Sequence, residues 1–152
     1  MAGFASVATM SPSGIANADF AGLGSYSELM LVINARTCAI AQTCLVQASI
    51  DGGSSWLTAS GDYKLLGTTG AHPLTDRTQI ALTNVAGSPL SSALWFPWWN
   101  LVGKWKQAFI ISGNEGLTQF MVANNAALNA LRVFNGASAN FTGGTIYILG
   151  KP

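Results

Sequence analysis

Apolar and polar residues alternate in short runs along this chain, and helical spacing is hard to find. The runs end at clusters of glycine, asparagine, serine or proline and recur every eight to fifteen residues. That rhythm is typical of all-β sandwiches and barrels. The pattern therefore predicts an all-β fold with little or no helix. We expect a single antiparallel β-sandwich, jelly-roll-like, of about eight to ten strands over residues 1–152.

Several strands can be placed individually. Residues 27–34 are apolar at most positions, which indicates a central strand with both faces largely buried. Residues 78–83 alternate, with Ile80 and Leu82 pointing inward. Residues 92–99 are apolar, and Pro97 within them predicts an edge strand or a strand followed by a bulge. Further strands are expected at 45–50, at 118–122, 130–134 and 145–149, and one is expected to start near 54–57. A strand at 104–112 is expected to have one end exposed to solvent.

The connecting segments also carry predictions. Asp51, Gly52 and Gly53 predict a tight hairpin turn, because glycine adopts positive φ readily and an aspartate carboxylate accepts from nearby amides. Residues 61–73 are predicted to be a long loop. The alanines and leucine of 124–130 would make a marginal helical turn at most. Residues 1–18 are expected to form an extended N-terminal arm.

Composition narrows the range of partners. Charged residues make up 9% of the chain and the formal net charge is +1, so no strong field attracts nucleic acid. Hydrophobic residues reach 49%, yet no apolar run has the ~18 residues of a membrane-spanning helix. The N-terminus does not resemble a secretory signal. Low net charge favours association between copies, which predicts a protein that lives in an assembly.

The residues offer little for catalysis or metal binding. Cys38 and Cys44 do not have the spacing of a zinc half-site, His72 is the only histidine, and both thiols are expected to be free. No Gly-x-Ser-x-Gly motif is present, and the carboxylates are scattered along the chain. The sequence therefore predicts neither an enzyme nor a cofactor nor a metal site.

The unusual feature is a concentration of indole rings. Four of the five tryptophans, Trp95, Trp98, Trp99 and Trp105, lie within eleven residues. Rings in such a run must point to both faces of a strand, so some belong to the core and others to the surface. The surface rings are candidates for a subunit interface or for a platform that stacks on sugars, and burial of the cluster in the core is the alternative.

Three local patterns, in this order, resemble small bacteriophage and prophage virion proteins, which occur alone or as terminal modules of tail fibres and spikes. They are Asp19-Phe20-x-Gly22-Leu23-x-x-Tyr26 before an apolar strand, Gln47-Ala48-Ser49-Ile50-Asp51-Gly52-Gly53-Ser54-Ser55-Trp56 followed by Gly61-Asp62-Tyr63, and Ala130-Leu131-Arg132-Val133 with Phe141-Thr142-Gly143-Gly144-Thr145-Ile146-Tyr147-Ile148-Leu149-Gly150. The resemblance implies a β-sandwich module, commonly oligomeric and exposed on a virion. The tryptophan cluster and the paired cysteines depart from typical members.

These observations predict a non-enzymatic virion structural protein, made in the bacterial cytoplasm and displayed on the particle as a capsid decoration, head spike or tail-tip or fibre component. Its partners would be itself, with a trimer as the first expectation, other virion proteins, and a host surface glycan or receptor. Nucleic acid binding and membrane insertion are not expected. The alternative is a carbohydrate-binding or depolymerising domain that uses Trp95 to Trp105, with Asp51, Asp62 and Asp76 as its candidate acids.

Overall fold

The structure is a computed structural model, and it describes residues 3–40, 42–66, 75–82, 90–112 and 116–152. The described residues contain twelve strands and one short 3-10 turn at Gly136–Ser138. The strands are β1 Ala5–Met10, β2 Asn17–Phe20, β3 Glu28–Cys38, β4 Cys44–Ser49, β5 Tyr63–Leu66, β6 Thr75–Arg77, β7 Ile80–Leu82, β8 Leu90–Phe96, β9 Lys106–Ser112, β10 Gly116–Val122, β11 Ala130–Asn135 and β12 Phe141–Lys151. The all-β prediction is confirmed, and the strand number exceeds the expected eight to ten.

The strands form two antiparallel sheets with a sandwich-like arrangement. The larger sheet has eight strands in the order β1-β12-β3-β8-β9-β10-β5-β6, and the smaller has four in the order β2-β11-β4-β7. Most neighbours within the sheets are distant in sequence. Both sheets therefore close only when remote segments of the chain meet.

The core lies between the two inward faces. Along β3, Leu29, Leu31 and Ile33 are buried while the residues between them are only partly covered. Ile80 and Leu82 are likewise buried in β7, as their alternation predicts. Strand side chains point to opposite faces in turn, so this pattern gives each strand one inward face. The buried apolar residues of both sheets join into one cluster.

Two strand predictions need correction. Residues 92–99 do not form an edge strand, because β8 lies between β3 and β9 and ends at Phe96, before Pro97. Proline has no N–H to donate to a neighbouring strand, so the ladder stops before it. The strand predicted at 104–112 begins two residues later, at Lys106, which is fully buried. The exposed residues Lys104 and Trp105 lie in the segment before β9, and Ile111 near its other end is exposed too.

The turn after β4 forms without the predicted hairpin. Gly52 and Gly53 have φ of +76° and +92°, as a tight turn requires. The chain beyond them does not return as a strand, and the described pairing there is one bond from the Leu57 N–H to the Ala48 carbonyl, 3.0 Å. The partners of β4 are instead β11, which pairs along the whole strand, and β7, which pairs with its first three residues.

Three other expectations about connecting segments were wrong in part. The predicted loop 61–73 contains β5, and residues 67–73, with His72, lie outside the described residues. No helical turn occurs in 124–130. The N-terminal segment is not a free arm in its described part, because β1 pairs with β12 and β2 begins at Asn17 and pairs with β11.

Candidate binding surface

The segment between β8 and β9, residues 97–105, carries three of the four clustered tryptophans, and we call it the tryptophan loop. The backbone N–H of Trp99 donates to the Ser27 carbonyl at 2.8 Å. The Gly103 N–H donates to the Asn125 carbonyl at 2.7 Å, and its φ of +80° suits glycine. These bonds tie the loop to two other segments, so its side chains are presented from a defined backbone.

The structure separates the four tryptophans. Trp99 is fully buried, and its ring meets Phe96 edge-on with centroids 5.1 Å apart. Trp95 is half-buried on the outward side of β8, 5.7 Å from the Phe109 ring. Trp98 and Trp105 are 51% and 44% exposed. Trp99 therefore belongs to the core and is not available to a partner, whereas Trp98 and Trp105 are.

Trp98 and Trp105 flank an open groove of about 460 Å³, the tryptophan groove. Its lining residues are Trp98, Leu101, Lys104, Trp105, Gln107 and Met121. Val102, on the same loop, is 70% exposed. The groove thus combines large apolar side chains with one ammonium and one amide, a mixture that suits contact with another molecule.

Lys106, the first residue after the tryptophan loop, connects it to the segment 124–126. Its side chain is fully buried, and its ammonium donates to the Asn124 carbonyl at 2.8 Å and to the Ala126 carbonyl. Burial lowers the pKa of Lys106, because the charged form loses its water. The contacts fasten the segment 124–126 beside the tryptophan loop. The sequence predicted only that one end of the strand 104–112 is exposed to solvent, and no local signal marks Lys106 as buried.

The three candidate acids of the glycosidase alternative each make structural contacts within the chain. Asp51 accepts from the Ser49 hydroxyl at 2.7 Å and the Ser55 hydroxyl at 2.6 Å, and so organises the turn after β4. Asp62 accepts from the Ala59 N–H at 2.7 Å, and Asp76 forms an ion pair with Lys64. None of the three lines the tryptophan groove.

The Asp51 carboxylate predicts a specific pH effect. Hydrogen bonds from the Ser55 side chain and backbone, and then from Ser49, lower the pKa of Asp51 from its ordinary 3.8 to about 2. The lowered pKa means that the folded state favours the ionised form, so this contribution to stability is complete above pH 3.8 and is lost as the pH falls through about 2. We expect an NMR titration of the side-chain carboxyl to give a value near 2. Ser55→Ala should raise it, and an ordinary value in the unmodified protein would contradict the prediction.

The cysteines are free, as expected, and the buried one is poorly suited to chemistry. Burial raises the pKa of the Cys44 thiol to about 12, an effect that the nearby Arg36 guanidinium only partly offsets. Arg36 is itself buried and donates to the Asn135 side chain and, at 3.0 Å, to the Gln42 carbonyl. Cys44 therefore acts as a small apolar residue of the core.

Comparison with known proteins gives no relative: no family model, no curated protein and no solved structure matches this chain. Within the described ranges, His, Cys, Asp and Glu side chains form no group of three or more that could hold a metal ion. No helix in the same ranges has the length and apolar character needed to cross a membrane. The geometry of the tryptophan groove therefore carries the functional argument.

Proposed function

We propose that this chain is a non-enzymatic structural subunit of a phage virion, displayed on the particle as a capsid decoration, head spike or tail-tip or fibre component. Its work is contact, through self-association, docking to other virion proteins and recognition of the host surface. The observation that carries the proposal is the tryptophan groove, in which Trp98 and Trp105 are exposed. The virion assignment rests on the three sequence patterns that resemble phage proteins.

The energetics of the groove favour a protein partner. Trp98 leaves about half of its surface exposed in the single chain. Covering that surface with a partner would contribute about 2 to 3 kcal/mol at ~25 cal/mol per Å² of apolar area. Aromatic side chains are enriched at the centres of interfaces for this reason. A few such contacts would hold an assembly together without any reacting group.

Trp98→Ser tests the proposal. We expect self-association to weaken by roughly 30- to 150-fold, which corresponds to the loss of about 2 to 3 kcal/mol. Light scattering coupled to size exclusion should show the mass shifting towards the 15.8 kDa monomer. Trp99 is left in place because it belongs to the core, where its loss would affect folding rather than contact.

Ile40→Ser is the matched control, since Ile40 is 53% exposed but does not line the groove. It should leave the mass unchanged. Equal association of unmodified protein and Trp98→Ser would count against the groove as the contact surface. The virion assignment has a separate test: capsid or tail genes beside this gene would support it, and metabolic neighbours would oppose it.

A carbohydrate-binding function is the second candidate. It is favoured by the pairing of two exposed indole rings with Lys104 and Gln107 in the same groove, because sugars stack on aromatic faces and accept or donate hydrogen bonds at their hydroxyls. A glycan array separates the two candidates. Retention that is lost in Trp98→Ser, with an unchanged oligomer mass, would favour sugar binding, and release of reducing ends would add a depolymerising activity.

A further inference from the structure

The outward face of the eight-stranded sheet is apolar over four adjacent strands, which we call the sheet face. Strand register aligns its side chains in rows across the sheet. One row, on β12, β3, β8 and β9, consists of Leu149, Met30, Trp95 and Phe109. The next row on the same strands consists of Tyr147, Val32, Ala93 and Ile111. None of these side chains is charged, and Ile111 is 56% exposed.

The outward face of the four-stranded sheet has a different character. Arg132 on β11 makes a bidentate ion pair with Asp19 on β2, with both N–O distances 2.8 Å. The Arg132 guanidinium lies over the Trp56 ring, with its Cζ 4.4 Å from the ring centroid. This face is thus occupied by a charged pair and by an aromatic side chain from the same molecule. The sheet face has no such arrangement in its two apolar rows.

Charged groups lie instead at the two ends of a third row. At the β12 end, Lys151 pairs with Glu28, and at the β6 end, Lys64 pairs with Asp76. Lys64 and Asp76 share the row of Gln107 and Met121. One further step along the register of β3 with β8 and of β8 with β9, past the end of β8 at Phe96, brings Lys151 and Glu28 level with that row. The apolar rows are therefore bordered by ion pairs, like an interface with an apolar centre and a polar rim.

We propose that the sheet face packs against the sheet face of a second copy of this chain, about a two-fold axis that runs parallel to the strands near β9. The inference rests on the proposed self-association and names its surface and partner. A two-fold contact requires a surface that is complementary to itself. The predicted trimer would need a different contact.

The order of charges supplies that complementarity. Read from β12 to β6, the third row runs basic, acidic, then basic, acidic. A copy turned over about the axis reverses this order. Lys151 then lies towards the partner's Asp76, and Glu28 lies towards the partner's Lys64. Two stacked sheets usually cross at about 30°, so these groups approach at the rim, while Phe109 and Ile111 of β9, the strand beside the axis, lie opposite their own copies at the centre.

The size of the face is also appropriate. With the adjoining strand β10 and the third row included, five strands at ~4.8 Å spacing and three rows at ~6.8 Å spacing cover on the order of 500 Å². The tryptophan groove continues this surface, because Gln107 and Met121 belong both to its lining and to the third row. Each partner buries ~800 Å² in an interface of standard size, so the sheet face supplies more than half of that area and the groove adds to it.

Opposite charges at Ile111 test the arrangement. Ile111 lies on β9, near the proposed axis, so the two copies bring this position together. We expect Ile111→Lys and Ile111→Glu each to raise the dissociation constant by at least about tenfold, because like charges would meet in a desolvated contact. Mixing the two variants should restore association, because the charges then attract. Sedimentation equilibrium, with one variant fluorescently labelled, measures both effects.

Ile40→Lys is the control, since Ile40 has similar exposure, at 53%, and is not part of the sheet face. It should associate as the unmodified protein does. If both Ile111 variants associate normally, the sheet face is not the interface, while self-association through another surface stands. If each variant is weakened but the mixture does not recover, the two-fold arrangement is wrong. If the unmodified protein stays monomeric up to ~1 mM, the proposed self-association fails as well.

Discussion

Trp99→Ala is expected to lower the free energy of unfolding by about 3 to 5 kcal/mol, the usual range for removing a buried aromatic side chain. Trp99 is 0% exposed and packs edge-on against Phe96. Its loss removes a large apolar contact and leaves a cavity that the surrounding strands fill only partly. The bond from the Trp99 N–H to the Ser27 carbonyl depends on the same packing to hold the tryptophan loop in place.

Urea unfolding measures this effect at a protein concentration low enough to keep every variant monomeric, because self-association would otherwise add to the apparent stability. Trp98→Ala is the matched control, because Trp98 is the adjacent residue, has the same side chain and is 51% exposed. Its cost should stay below about 1 kcal/mol. Trp99→Phe, which keeps an aromatic ring, gives an intermediate value if the alanine variant does not fold. Similar costs for Trp98→Ala and Trp99→Ala would contradict the burial that separates them.

Gly144→Ala is expected to be nearly as destabilising, at about 3 kcal/mol or more. Gly144 has φ of +99°, which costs a residue with a side chain about 1 to 3 kcal/mol. A Cβ here would also lie 2.6 Å from the Arg36 Cα and 2.8 Å from the Ala35 carbonyl oxygen. Both contacts are backbone, so β3 would have to move, at a further cost of about 1 to 3 kcal/mol.

Gly14→Ala separates the two causes. Gly14 also has positive φ, +72°, but a Cβ there meets nothing within 4 Å. Its replacement should therefore cost about 1 kcal/mol from backbone strain alone. Thermal unfolding of the two variants under identical conditions gives the comparison. An equal cost at both positions would show that the close approach of β3 to β12 at Gly144 contributes nothing.

Gly144 also matters for the sheet face. It lies where the pairing of β3 and β12 shifts register, before the outward residues Tyr147 and Leu149. A slip of one residue in a strand moves every side chain to the opposite face. A folded Gly144 variant with an altered register would therefore lose the apolar rows. The glycine is a structural requirement for the proposed interface.

Much of the fold followed from local patterns. Alternation placed Ile80 and Leu82 inward, and the residues Asp51, Gly52 and Gly53 gave the turn, because side-chain period and positive φ are properties of short segments. The predicted hairpin after this turn did not form. Whether a strand follows depends on which remote partner is available, and β4 found β11 and β7 instead.

The tryptophan cluster was recognised from the sequence, but its division was not. Trp98 and Trp99 are adjacent and chemically identical, yet one is half-exposed and the other fully buried. The backbone after Pro97 leaves the strand, so alternation no longer predicts direction. The buried Lys106 gave no signal either, because its carbonyl partners belong to a segment that is distant along the chain.

The sequence by itself determined that this chain carries few charges and forms strands and turns. Charge depends on residue type alone, and strands and turns depend on residue type and on neighbours within a few positions. The tertiary structure decided which tryptophans face solvent and which side chains align in rows across the eight-stranded sheet. Rows such as Leu149, Met30, Trp95 and Phe109 come from four separate strands. Their alignment depends on register between remote segments, which packing of the whole core selects.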